Sequence, residues 1–289
     1  MKAQFVDVGG LRTRCLVAGQ GDAVLLVHPV GYPAEVFART IAGLEDRFHL
    51  IAPDLPGQGF TAPPPTWNRA PQLIMADHVI ELTRVLGLSK FSLLGSSLGG
   101  LVAALVALRA PERVAKLVLV GTGSVFNEPR EQAAVLEQVY ANGSRAYADP
   151  SLATLRARIA NTCHGMPEAE DVLLATMTAY AWPGAREAYR AIIDGLIASI
   201  MERDATVFER LEQIRVPTLV VVGANDVRTS FEAHRRGAER MRDARVIQLP
   251  ACGHLPFLER PGEFNAALAA FLHGESPGQS APAAAAQRA

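Results

Sequence analysis

Short unbroken apolar runs alternate with amphipathic segments along most of the chain. Ala23-Val24-Leu25-Leu26-Val27-His28 is the first such run. An apolar stretch this short and this continuous is the pattern of a strand covered on both faces in a parallel sheet. The pattern recurs at residues 49–54, 91–95, 117–121 and 217–223, and residues 244–249 read as a sixth strand. Residues 4–17 alternate in character around Gly9-Gly10 instead, which predicts an antiparallel hairpin at the sheet edge. Between the runs, residues 71–86, 98–109, 231–242 and 261–272 place apolar side chains at three-to-four spacing, the mark of helices with one buried face. Strand and helix in repetition predict an α/β fold with a mostly parallel, doubly wound sheet, whose chemistry is sought just after the strand C-termini.

The alternation stops at residues 125–205, where the pattern is helical and punctuated by Pro129, Gly143, Pro150, Pro167 and Pro183-Gly184. An insertion of this kind reads as a helical cap between two core strands. The expected organisation is therefore core at 1–124, cap at 125–205 and core again at 206–273. Residues 274–289, rich in Ala, Pro, Ser and Gly, are expected to be a disordered tail.

Composition narrows the partners. Lys+Arg 28 against Asp+Glu 29 gives a net charge of -1, without the basic footprint of a nucleic-acid or lipid-surface binder. Three scattered cysteines, Cys15, Cys163 and Cys252, form no disulfide framework or thiolate metal cluster, and they suit a reducing, cytoplasmic setting. The N-terminal residues lack an apolar core of the signal-peptide kind, and the longest apolar run, 101–108, is far short of the ~20 residues a membrane span needs. A small molecule is the expected partner, with oligomeric state left open, a homodimer included.

Gly95-Ser96-Ser97-Leu98-Gly99-Gly100 matches G-x-S-x-G directly between a strand and a helix, the setting of a nucleophile elbow. A serine hydroxyl needs a base within hydrogen-bond reach, and His254 stands in a short loop after the last core strand. The base needs a carboxylate to hold its tautomer and offset its developing charge. Asp226, after the strand at 217–223, completes the chain order serine, aspartate, histidine. The backbone N–H of Leu98 is the first expected oxyanion donor. In His28-Pro29-Val30-Gly31 proline has no N–H, so Val30 is the second and Gly31 the fallback. His28 is expected to brace that loop, and Asp54 to fix the turn 54–59. His49, His78, His164, His234 and His273 read as surface or packing residues.

With these motifs the chain, from about Phe5 to Leu272, resembles the α/β-hydrolase superfamily. Residues 25–31, 54–59 and 95–100, and Gly253-His254 followed by Glu259-Arg260-Pro261, carry the likeness. Two positions depart from the family pattern: Pro29 stands where glycine usually follows the histidine, and Ser230 where a proline often stands four residues after the acid. Cys252-Gly253-His254 with Glu263-Phe264-Asn265 is similar to hydrolases that cleave carbon-carbon bonds in aromatic ring-fission products, though esterases and lactonases share that ending. The resemblance implies ester or lactone hydrolysis through an acyl-enzyme, with no metal or organic cofactor. Carbon-carbon hydrolysis ranks second because the glycine-rich oxyanion loop is missing. A ligand receptor or lyase on the same fold ranks third. Tyr180, Trp182 and Met177, with Met166 and Tyr189, are the expected pocket material of the cap.

Overall fold

The computed structural model describes residues 1–165, 167 and 169–274. Within them eight strands form one sheet: β1 Lys2–Val8, β2 Leu11–Ala18, β3 Ala23–Val27, β4 His49–Pro53, β5 Phe91–Ser96, β6 Val114–Val120, β7 Thr218–Gly223 and β8 Ala244–Leu249. Their order across the sheet is β1-β2-β4-β3-β5-β6-β7-β8. The β1–β2 hairpin joins antiparallel, β2 also pairs antiparallel with β4, and every pairing from β4 to β8 is parallel. Strand β6 begins at Val114, before the apolar run at 117–121, because Val114 already pairs with Phe91 before a register shift.

The helices are α1 Ala38–Leu44, α2 Pro71–Val85, α3 Leu98–Arg109, α4 Gly123–Phe126, α5 Pro129–Ala148, α6 Leu152–Ala160, α7 Glu170–Tyr180, α8 Ala185–Ala198, α9 Phe231–Glu239, α10 Pro256–Glu259 and α11 Pro261–His273. Successive residues of the central strands feed opposite layers, as the two-residue period of a strand requires. Leu25 and Val27 join the layer containing Met75, Val79 and Val102 of α2 and α3. Val24 and Leu26 join Ile41, Phe264 and Leu268 of α1 and α11. Both faces are covered, which is why these strands read as unbroken apolar runs.

Helices α4 to α8 lie between β6 and β7, with α5 packed on α6 and α8. Ser151 and Thr154 make a reciprocal capping box at the start of α6. Helix α9 ends at Glu239, earlier than the periodicity at 231–242 predicts, because Arg240 and Met241 turn back onto the carbonyls of Gly237 and Ala238. Gly274 ends α11 in the left-handed conformation at φ 83°, and the rest of the expected tail lies outside the described residues. Among the described residues no helix is long and apolar enough to cross a membrane.

Candidate active site

Ser97 alone turns the chain from β5 into α3. Its backbone is at φ 52°, ψ -117°, a region that costs a non-glycine residue about 1–3 kcal/mol. The surroundings leave it no alternative. A Cβ on Gly95 would strike the carbonyl of Gly99, and one on Gly99 would strike those of Val27 and His28. The sharp turn lifts the Ser97 side chain above the C-terminal edge of the sheet at the start of α3.

Two further loops reach the same edge. Asp226 follows β7, and its Oδ1 accepts the Arg228 backbone N–H at 2.8 Å. Its Oδ2 accepts Nδ1–H of His254 at 2.9 Å, with both side chains shielded from solvent. An ionised carboxylate only accepts, so the proton sits on Nδ1, and in the neutral ring Nε2 keeps its lone pair. Glu259 holds the histidine loop by accepting the N–H groups of Gly253 at 2.9 Å and Leu255 at 3.2 Å. It also takes the His164 N–H at 2.7 Å, tying this loop to the inserted segment. Gly121, at φ 55°, lies so close that a Cβ there would touch His254 Nδ1 and Asp226 Oδ2. Ser97 and His254 line one cavity. No hydrogen bond joins Oγ to the ring among the described residues, and such contacts are often looser before substrate binds.

The loop after β3 is built around His28, which is fully buried. Its Nδ1 donates to the Pro29 carbonyl and its Nε2 accepts the Leu55 N–H, each at 2.9 Å. Burial lowers its pKa and keeps the ring neutral, as this bonding demands. The Gly31 N–H donates to Gln58 Oε1 at 2.7 Å, so the fallback donor is already engaged. The N–H groups of Val30 and Leu98 have no acceptor among the described residues, and both residues line the cavity of Ser97. Asp54 fixes the adjoining turn: Oδ1 accepts Ala34 N–H at 2.7 Å, and Oδ2 accepts Phe60 N–H at 2.9 Å and Arg14 Nε at 2.6 Å. Ser230, in place of proline, caps α9 by accepting the Ala233 N–H at 3.1 Å.

Residues 24–267 match the model of the alpha/beta hydrolase family. The chain belongs to the α/β-hydrolase family. It is similar to the pimeloyl-[acyl-carrier protein] methyl ester esterase of Chromobacterium violaceum, 32% identical over 263 residues that cover 89% of this chain and 97% of the relative. It is also similar to the 2-hydroxy-6-oxo-6-(2'-aminophenyl)hexa-2,4-dienoic acid hydrolase of Metapseudomonas resinovorans, 27% identical over 277 residues, 93% of this chain and 90% of that one. Among solved structures, a serine hydrolase involved in carbazole degradation superposes with a TM-score of 0.76 at 26% identity, covering 95% of this chain and 99% of its own.

The pocket of this α/β-hydrolase is not made of the side chains expected from the sequence. Tyr180 is buried, stacks on Tyr147 with ring centres 3.6 Å apart, and donates to the Gly31 carbonyl at 2.6 Å. Trp182 is 56% exposed and stands edge-on to Phe60 in a separate groove. Met177 packs against the core. None of the three lines the Ser97 cavity. Tyr189 is likewise packing, donating to the Val139 carbonyl at 2.7 Å, and Met166 lies outside the described residues. Aromatic rings this large found partners in each other. The cavity, about 60 Å³, is lined instead by Val135, Leu136 and Val139 of α5, Leu196 of α8 and Ile200. Sequence reasoning missed these aliphatics, although Val135 and Val139 are one helical turn apart on α5, a spacing that marks a shared face.

Proposed function

We propose that the chain is a serine hydrolase acting on a carboxylic ester or lactone of a small molecule. Ser97 Oγ attacks the carbonyl carbon while Nε2 of His254 takes its proton. Asp226 holds Nδ1–H and offsets the charge of the imidazolium. The N–H groups of Leu98 and Val30 receive the oxyanion, the leaving alcohol departs with the proton from His254, and water repeats the path on the acyl-enzyme. The observation that carries the reading is the hydrogen bond from His254 to buried Asp226, which frees Nε2 on a cavity shared with the elbow serine. The esterase relative supports the same bond class.

Ser97→Ala is expected to lower kcat on 4-nitrophenyl acetate by at least ~10³, the loss typical for a triad nucleophile. A fluorophosphonate probe should add its mass to the wild-type chain at Ser97 and not to the variant. Turnover by the variant within ten-fold of wild type would end this reading. Carbon-carbon cleavage of a vinylogous diketone is the second reading, supported by the dienoic acid hydrolase relative. Stopped-flow bleaching of such a yellow ring-fission product, faster than ester turnover, would put it first.

A further inference from the structure

The inner face of α6 carries a charge that has no counter-ion among the described residues. Arg158 is 5% exposed. Its Nη2 donates to the Val30 carbonyl at 3.0 Å, while Nε and Nη1 are buried with no hydrogen-bond partner among the described residues. The guanidinium carbon lies 5.3, 5.6 and 5.8 Å from the ring centres of Tyr32, Tyr180 and Tyr189. Ring faces steady a cation, but they do not neutralise it.

A second arginine stands beside it. Arg228 is 9% exposed, and its guanidinium enters no hydrogen bond or ion pair among the described residues. Burial first, and then the Arg158 charge, lower its pKa from the ordinary value. The carboxylate acting on it is Asp226, which is already engaged by His254 and by the Arg228 backbone. Both arginines line a narrow space of about 30 Å³ with Ser97, His254 and Tyr32, whose Oη is another buried group without a hydrogen-bond partner among the described residues. The same two arginines, with Asn142 and Arg145, also border a wider cleft of about 390 Å³. On the α5 and α8 side of Ser97 the lining is apolar apart from Gln132.

A buried cation beside a second, partly desolvated one is unfavourable unless an anion joins them. We propose that Arg158 and Arg228 form an anion subsite beside Ser97 that receives a carboxylate carried by the substrate, while the apolar cavity takes its hydrocarbon part. The forked guanidinium matches the two oxygens of a planar carboxylate, and the narrow space suits so small a group. The inference rests on the Ser97 hydrolase reading for the word substrate, and its binding test is independent of turnover.

Calorimetric titration of the full chain with hexanoate, hexanamide and hexyl phosphate isolates the charge. Hexanoate is expected to bind at least ten-fold more tightly than hexanamide, and the ratio should fall towards one in Arg158→Met and in Arg228→Gln. The second variant guards against misfolding, since the Arg228 guanidinium holds no protein group, and thermal melts verify both. A wild-type ratio near one, or a ratio that survives both substitutions, overturns the subsite. Tighter binding of hexyl phosphate than hexanoate overturns the carboxylate assignment. A parallel comparison of kcat/KM for mono(4-nitrophenyl) adipate against 4-nitrophenyl hexanoate should favour the charged ester. If neither ester is cleaved while the hexanoate preference holds and collapses in the variants, the hydrolase reading fails and the anion site stands.

Discussion

The loop after β3 is gripped by two buried arginines, and the grips differ in charge. Arg14 of β2 meets Asp54 through Nε at 2.6 Å and Glu35 through a two-pronged contact at 2.7 and 2.6 Å, and Asp54 in turn holds the Ala34 N–H. Arg158 of α6 holds the Val30 carbonyl, and Tyr180 of α7 the Gly31 carbonyl, with no carboxylate among the described residues in the arrangement. The first grip is complete in itself and serves only to fix the turn. The second leaves two buried donors without a partner among the described residues, on a residue that also lines the space beside Ser97. Burial alone therefore does not mark an arginine as structural; the inventory of its partners does.

Removing each arginine in turn tells the two grips apart. Arg14→Met strands Asp54 and Glu35 and should cost about 3–5 kcal/mol of stability in urea unfolding. Arg158→Met leaves no carboxylate behind and removes a desolvated charge along with one hydrogen bond, so its cost should stay below about 2 kcal/mol. Equal costs would show that the two grips are alike.

Acid should weaken the fold as a whole, through three buried histidines. The buried rings of His28, His78 and His234 all have folded pKa values below the ordinary 6.5, mainly through burial, with His78 at about 4. The unfolded chain takes up protons there that the folded chain refuses, so stability is full above pH 6.5 and falls as the pH drops towards 4. The loss should approach ~1.4 kcal/mol per pH unit for each histidine within its window. Denaturant midpoints at pH 7 and pH 5 measure it, and equal midpoints would contradict it.

A smaller effect is expected from Tyr180→Phe. It removes one hydrogen bond to the Gly31 carbonyl and should cost about 1 kcal/mol in a thermal melt, with a modest fall in kcat as the Val30 N–H loses its setting. An unchanged melt would mean that Arg158 holds the loop unaided.

The sheet was legible in the sequence because its central strands are covered on both faces and read as unbroken apolar runs. The elbow was legible because Gly95 and Gly99 allow no side chain, and Asp226 and His254 because chain order and loop position pick them out. Arg158 was not legible. In Leu155-Arg156-Ala157-Arg158-Ile159 the two arginines look alike, yet Arg156 pairs with Glu170 at the surface while Arg158 turns inward. Leu155 and Ile159, both buried and four residues apart, mark the inner face that Arg158 shares, and that spacing was the available signal. The brace formed by Glu259 on the histidine loop was also missed, since a carboxylate that accepts backbone N–H groups leaves no pattern of paired charges to read.

The φ of 52° at Ser97 has a consequence for how such a protein can drift. Alanine or cysteine there would inherit the same contorted backbone, whereas glycine would relax it. Selection for heat resistance alone would thus favour replacing the residue proposed as nucleophile. On the proposed function, a hardier but inert descendant lies a single downhill substitution away.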